Sequence, residues 1–492
     1  MTFSDLVKGL VASAALLALA ACGGDKTKEK DASGKDGKAA QSLDLPSTNP
    51  YPGTYKPYTA SPTLITGATI LTGTGKKIDN GFVLLIDGKI AGVSKKEIKL
   101  PKGVKKGDLV TIDATGKFVT PGIIDIHSHL GVYPSPGFRS TSDGNEAVAP
   151  NTAHVWAEHS VWPQDPGFTR ALAGGVTSLQ ILPGSANLFG GRTVTVKNVP
   201  ARTVQEMKFP GAPYGLKMAC GENPKRVYGD KGGPSTRMGN FAGYRAAWIE
   251  AAAYKKSWDD YKKKLEDGDD EEASAPKQDL KNETLAMALN GDILVHMHCY
   301  RGDEMVQVID MAKEFGYKIS SFQHAVEAYK IADHLAENNI CAAMWADWWG
   351  FKLEAYDGVR ENAALVAQPK NSCAIIHSDS AVGIQRLNQE TAKAMADGNH
   401  LGLEITPEQA IGWISANPAK AMGILDQTGT LEDGKMADVV IWDGNPFSVY
   451  TKAEKVYIDG ALLYDLGDPT LSPRTDFEIG QQDNGPRGGA GQ

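Results

Sequence analysis

The chain has 492 residues, enough for one large domain and a smaller one. Its 41% hydrophobic and 22% charged content is ordinary for a globular protein. A net charge of −8, with no long basic run, excludes a nucleic-acid partner, which would need a basic face.

Lys8 precedes an apolar run from Leu10 to Ala21. The run is too short to span a membrane comfortably and suits a secretory leader. It ends in Leu19-Ala20-Ala21-Cys22, which resembles a bacterial lipobox. Residues 1–22 are therefore expected to form a lipoprotein signal peptide, with Cys22 lipidated as the first mature residue. Gly23, rather than Asp, follows, so the expected anchor is to the outer membrane, on the periplasmic side of the cell envelope. Residues 23–62, rich in Lys, Asp, Gly, Ser and Pro, read as a flexible tether.

Residues 63–118 alternate short apolar runs, and Asp87-Gly88 between two of them is a hairpin signal. Residues 426–466 have the same texture. The two segments are expected to build one small β-sandwich from both chain ends. Between them, residues 119–425 alternate strand-like and helix-like runs, which predicts an α/β fold, a (β/α)8 TIM barrel with insertions. Its strand candidates are Gly175–Leu182, Tyr214–Cys220, Ile293–His298, Ile319–Gln323, Ile340–Met344 and Ala374–His377. The charged stretch Tyr254–Asn282 reads as a solvated insertion, and residues 467–492 as a loose tail. Cys220, Cys299, Cys341 and Cys373 lie in or beside apolar runs and are expected to be small buried thiols. Their spacing suggests neither a disulfide framework nor a structural zinc site.

The candidate site begins in Val119–Leu130, V-T-P-G-I-I-D-I-H-S-H-L. Side chains alternate along a strand, so His127 and His129 share a face and make half of a metal site. His296 and His298 end the run that starts at Asp292, His324 follows Ile319–Gln323, and Asp379 closes the run that starts at Cys373. Each lies where a parallel barrel presents its chemistry, at the C-terminal end of a strand. His377 shares the face of Asp379 one layer deeper and reads as a packed or supporting histidine. His154, His159, His334 and His400 sit in polar or helix-like surroundings and read as surface residues. Trp345, Trp348 and Trp349 follow the seventh strand, either as a pocket wall for a ring-bearing substrate or as rim packing. Arg192, Lys225, Arg226 and Arg301 are candidates for holding a substrate carboxylate.

The ordered set, framed by Ala114-Thr-Gly-Lys117 before and Ala437-Asp-Val-Val-Ile-Trp-Asp-Gly-Asn-Pro-Phe447 after, resembles the amidohydrolase superfamily. Within it, Pro183–Gly191, Gly221–Gly229 and Val295–Glu304 are most similar to imidazolonepropionase-related members. The resemblance runs from Thr63 to Tyr464. It implies a (β/α)8 barrel with an accessory β-sandwich, one or two divalent metals, most readily Zn²⁺, and a metal-activated water. It carries His127 and His129 over as the first-strand ligands, His324 as the sixth and Asp379 as the eighth. On strand five, His296 or His298 or both ligate, with His296 slightly preferred. On strand four, Glu222 ranks above Lys217, the residue that some relatives carbamylate to bridge two metals. Asp379 is the expected general base, and His324 polarises the carbonyl if one metal binds.

The expected function is metal-dependent hydrolysis of a C–N bond in a small molecule, a dipeptide or an N-acyl amino acid. A cyclic amide, as in imidazolonepropionase, is the alternative. A non-catalytic binding lipoprotein on the same scaffold is disfavoured by the complete ligand set. The resemblance also implies a homo-oligomer.

Overall fold

The computed structural model describes residue 47, residues 49–268 and residues 273–471. The expected signal peptide, Cys22, most of the tether and the tail from 472 lie outside the described residues. Among the described residues no helix is long and apolar enough to cross a membrane.

The chain opens with β1 (Thr63–Leu71), β2 (Lys77–Ile86), β3 (Lys89–Ser94), β4 (Val110–Asp113) and β5 (Phe118–Pro121). Asp87 and Gly88, between β2 and β3, have φ of 49° and 75°, the positive pair that a tight two-residue hairpin requires. The barrel strands follow: β6 (Ile123–Ser128), β7 (Val176–Ile181), β8 (Phe189–Lys197), β9 (Gly215–Ala219), β10 (Leu294–Cys299), β11 (Ile319–His324), β12 (Cys341–Met344) and β13 (Ala374–Ile376). The chain then returns through β14 (Val439–Trp442), β15 (Ala453–Ile458) and β16 (Ala461–Asp465). β14 pairs antiparallel with β5, so strands from both chain ends make one eight-stranded sheet. Ile65, Ile70 and Val83 of one arm pack in a common core with Val439, Ile441 and Tyr457 of the other.

β6 to β13 form an eight-stranded, nearly closed, TIM-like barrel. Its seam is drawn together by Asp379, whose backbone N–H donates to His127 O at 3.0 Å. One strand departs from the expected (β/α)8 pattern. β8 was not among the strand candidates and runs antiparallel to both β7 and β9, with no helix before it. Its sequence, F-G-G-R-T-V-T-V-K, is buried throughout. Two glycines at its start hid the β signal of the T-V-T-V that follows. The second is required: Gly191 has φ 118°, and a Cβ there would run into the Val155 carbonyl.

The cysteine expectation is also corrected. Cys220 pairs with Cys299, and Cys341 with Cys373. Sheet register makes both bonds. Ala219 lies opposite His298, which puts Cys220 beside Cys299, and Ala342 lies opposite Ala374, which puts Cys341 beside Cys373. Sequence spacing carries no trace of such cross-strand pairs.

The charged insertion belongs to a longer element. After the short helices α1 (Pro166–Ala173) and α2 (Glu222–Tyr228), Thr236 caps α3 (Arg237–Asp267) by accepting from Gly239 N–H at 3.0 Å, and Gly268 at φ 82° ends it. Its first half buries Tyr244, Trp248 and Ala251 against the barrel.

Loops of 79 and 32 residues are closed by the two bonds. Replacing Cys220 and Cys299 together by Ala is expected to lower the unfolding free energy by about 2–4 kcal/mol in a urea titration. Alkylation of the denatured, unreduced protein should label none of the four cysteines; labelling of all four would refute the pairing.

Candidate active site

The C-terminal ends of the parallel strands converge on one cup. β6 brings His127 and, just past its end, His129; β9 brings Lys217; β10 brings His298; β11 brings His324; the segment after β13 brings His377 and Asp379. His127 Nδ1–H donates to Gln323 Oε1 at 3.0 Å, and His129 Nδ1–H to Leu182 O at 2.9 Å. These acceptors place the proton on Nδ1 of each ring, so each Nε2 carries a lone pair. The two Nε2 atoms lie 3.5 and 3.2 Å from Asp379 Oδ1, and His324 Nδ1 lies 3.8 Å from Asp379 Oδ2.

Lone pairs aimed at a carboxylate repel it unless a cation lies between them. Further buried nitrogens join them without any hydrogen-bond partner: His298 Nδ1, His324 Nδ1 and both nitrogens of His377, as well as His127 Nε2 itself. Leaving a buried polar atom unpaired costs about 1–3 kcal/mol, so a convergence of this kind needs an explanation. His127, His129 and Asp379 form one group whose ligand atoms lie within 4.8 Å of one another, and His127, His324 and His377 form a second. Imidazoles and a carboxylate at this spacing fit a divalent ion of the zinc type. Burial pushes His127, His298 and His324 well below the ordinary histidine range, and nearby positive charge adds to it. Burial likewise holds His377 down to about 3. Neutral imidazole is the ligating form.

The structure separates the two fifth-strand histidines. His296 is one layer down, with Nδ1 2.8 Å from Ser321 Oγ and Nε2 accepting from Gln180 at 3.2 Å. His298 is the one that opens into the cup. His377, read as a packed or supporting residue, stands in the cluster itself. Lys217 is fully buried and donates to Pro183 O and Ser185 Oγ, each at 3.0 Å. No carboxylate of the described residues pairs with it, and burial lowers its amine to about 7. Glu222 instead begins α2, a helix spanning Glu222–Tyr228, where its carboxylate lies 3.7 Å from Lys352 Nζ at the cup wall.

Some participants escaped the sequence reading. Asp125, buried between β6 and the last strand, accepts from His127 N–H at 3.1 Å and Ser378 N–H at 3.2 Å and from the Ser378 hydroxyl. Burial raises it to about 7. Its one signal was a charged residue inside an apolar strand. Lys352 and Tyr300 also line the cavity, of about 460 Å³, that lies over the cluster. Among the four proposed carboxylate holders, Arg226 lines this cavity. Arg192 is buried beside Glu283, and Arg301 pairs with Asp303. His324 and Asp379 have φ of 70° and 51°. That left-handed backbone costs about 1–3 kcal/mol at each non-glycine position and clusters at functional sites.

Residues 118–468 match the sequence model of the Amidohydrolase family. The chain belongs to that family. It is 31% identical over 394 residues to Amidohydrolase tasK of Hapsidospora irregularis, an alignment covering 77% of this chain and 39% of that protein. The chain thus spans well under half the length of this relative. Imidazolonepropionase of Brucella anthropi is 24% identical over 411 residues, 77% of this chain and 90% of that one. Among solved structures, an amidohydrolase from Thermotoga maritima superposes with a TM-score of 0.71 at 35% identity, covering 82% of this chain and all of the other. In this amidohydrolase the metal-type cluster sits at the C-terminal barrel face, where the fold presents its chemistry.

The buried histidines couple stability to pH. His296 and His377 are held down to about 3, against an ordinary value of 6.5. Below 6.5 the unfolded chain takes up protons that the folded chain refuses, so stability is full above that pH and falls as pH drops toward 3. The melting temperature of metal-free protein is expected to fall across that window, with a shallower slope for His296→Gln in calorimetry. An unchanged slope would remove His296 from the account.

Proposed function

We propose that this amidohydrolase is a metal-dependent hydrolase of a C–N bond in a small molecule. One observation carries the reading: unpartnered histidine nitrogens from several strand ends, facing one aspartate. His127, His129, His298, His324 and Asp379 would hold the metal, with His377 beside them. We assign the strand-four role to Lys217 rather than Glu222, because its amine is fully buried with no carboxylate partner among the described residues, and burial lowers it to about 7. A neutral amine adds CO₂ to give a carbamate and a proton, turning this cation into an anionic ligand. Zn²⁺ or a similar ion, once bound, supplies the positive charge that acidifies a water and polarises the scissile carbonyl.

Asp379 is the general base. It accepts the water proton and hands it to the leaving nitrogen. Its backbone bond to His127 O holds the carboxylate in register with the histidine pair. Gln323 and Leu182 O keep the two imidazoles in the tautomer that points Nε2 at it. Trp345 stacks on His324 with ring centroids 4.4 Å apart and limits that ring's motion.

The substrate is a dipeptide or an N-acyl amino acid, a reading supported by Arg226 and Lys352 on the cup wall. A cyclic amide is a second reading, favoured by the similarity to imidazolonepropionase. The location is the cell envelope, with a lipid anchor at Cys22. The lipobox residues and the two disulfides, which persist in oxidising compartments, support it.

Elemental analysis tests the ligand set. Lys217→Ala and His298→Ala are expected to lose half or more of the bound metal, and Glu222→Ala to keep it. Loss in Glu222→Ala alone would return the bridge to the carboxylate. Asp379→Asn is expected to lower kcat by about 10²–10⁴ in steady-state assays on dipeptide and acyl-amino-acid panels. Unchanged turnover would take the base elsewhere.

A further inference from the structure

A second cavity, of about 500 Å³, meets the cup at His324, which lines both. Its wall is a stack of rings. His324 lies against Trp345 at 4.4 Å and 21°, and Trp345 against Trp348 at 5.0 Å and 16°. Trp345 is buried and fixed by its Nε1–H to Ser378 O at 3.3 Å, while Trp348 is 40% exposed. The polar groups on the remaining wall are mostly engaged elsewhere. Asp347 pairs with Lys393 at 2.9 Å, Arg360 with Asp397 at 3.6 Å, and the Asn362 amide donates to Ala325 O and Val326 O. What is left for a ligand is a wall of indole rings, with Val326 and Val359 as the apolar groups beside it. Glu361, also on the wall, disfavours an anion there. The cup has the opposite character. Arg226 lines it, is exposed, and makes no ion pair among the described residues.

We propose that this slot binds an aromatic ring carried by the acyl group of the substrate, and that Arg226 takes the carboxylate at the other end. The inference rests on the hydrolase reading above. The substrate is then an N-acyl amino acid with an arene on the acyl side, its amide lying across the histidine cluster. Water oxygen adds to the amide carbon, the C–N bond breaks, and Asp379 carries the water proton to nitrogen. An aryl-substituted carboxylic acid and a free amino acid leave. Parallel offset rings attract through their quadrupoles and bury large apolar area, which favours an arene over an alkyl chain in this slot.

The test compares kcat/KM for N-phenylacetylglycine and N-acetylglycine on the metal-loaded enzyme. The wild type should prefer the phenylacetyl substrate. Trp348→Ala should cut that preference about tenfold, chiefly through KM, and Trp348→Phe should restore most of it. A wild-type preference for the acetyl substrate, or a ratio unmoved by Trp348→Ala, overturns the slot and leaves the hydrolase reading standing. Binding of phenylacetate, followed by tryptophan fluorescence, is independent of turnover. A phenylacetate Kd raised several-fold by Trp348→Ala, read on the remaining tryptophans, supports the slot even where neither amide is cleaved, and the acyl-amino-acid hydrolase reading alone then fails. Absence of quenching in the wild type overturns the slot.

Discussion

Everything at the cup depends on the seam between the first and last barrel strands. Asp125, on β6, accepts from Ser378 across a sequence separation of 253 residues. One residue further on, Asp379 N–H reaches back to His127 O. Without these bonds the aspartate has no reason to face the histidine pair. A buried carboxylate is costly to maintain, and Asp125 offsets that cost with three donors. The same aspartate also takes the backbone N–H of His127, so one side chain sets the strand end on both sides of the seam.

A second layer fixes the rings from below. Gln323 accepts from His127 and donates to Ser321, which faces His296, which accepts from Gln180. These side chains are buried and hydrogen-bonded to one another in sequence, so the chain holds its hydrogen-bond direction and, with it, the tautomers above. Farther out, Lys197 at the end of β8 is buried between Asp438 and Asp459, at 3.1 and 2.8 Å. That triad pins the antiparallel strand to the sheet built from the chain ends.

His127, His129, His324 and Asp379, with the choice between His296 and His298 left leaning to His296, were legible as converging strand ends because strand alternation and the strand-end rule are local signals. What was illegible depended on register between strands. The disulfides follow from which residue lies opposite which. Glu222 ranked above Lys217 because barrel ligands come from strand ends, and it does line the cavity over the cluster. It does so from the start of α2, after the chain turns at Gly221 with φ 75°, whereas Lys217 lies within β9, and that difference is set by the turn rather than by the composition of the segment. β8 was lost to its glycines, and the sheet from the chain ends was visible because Asp87-Gly88 and the alternating runs are short-range patterns.

The segment after β12 serves two compartments at once. Trp348 faces the aromatic cavity, whereas Lys352 reaches Asn223 Oδ1 at 3.2 Å and Glu354 accepts the Glu222 N–H at 2.7 Å. Loops at a barrel mouth are commonly treated as exchangeable parts. Here a transplant of this loop alone would strip α2 of its anchor and disturb the wall of the cup. The loop and α2 form a single module, and a chimera that moves specificity between relatives must carry both.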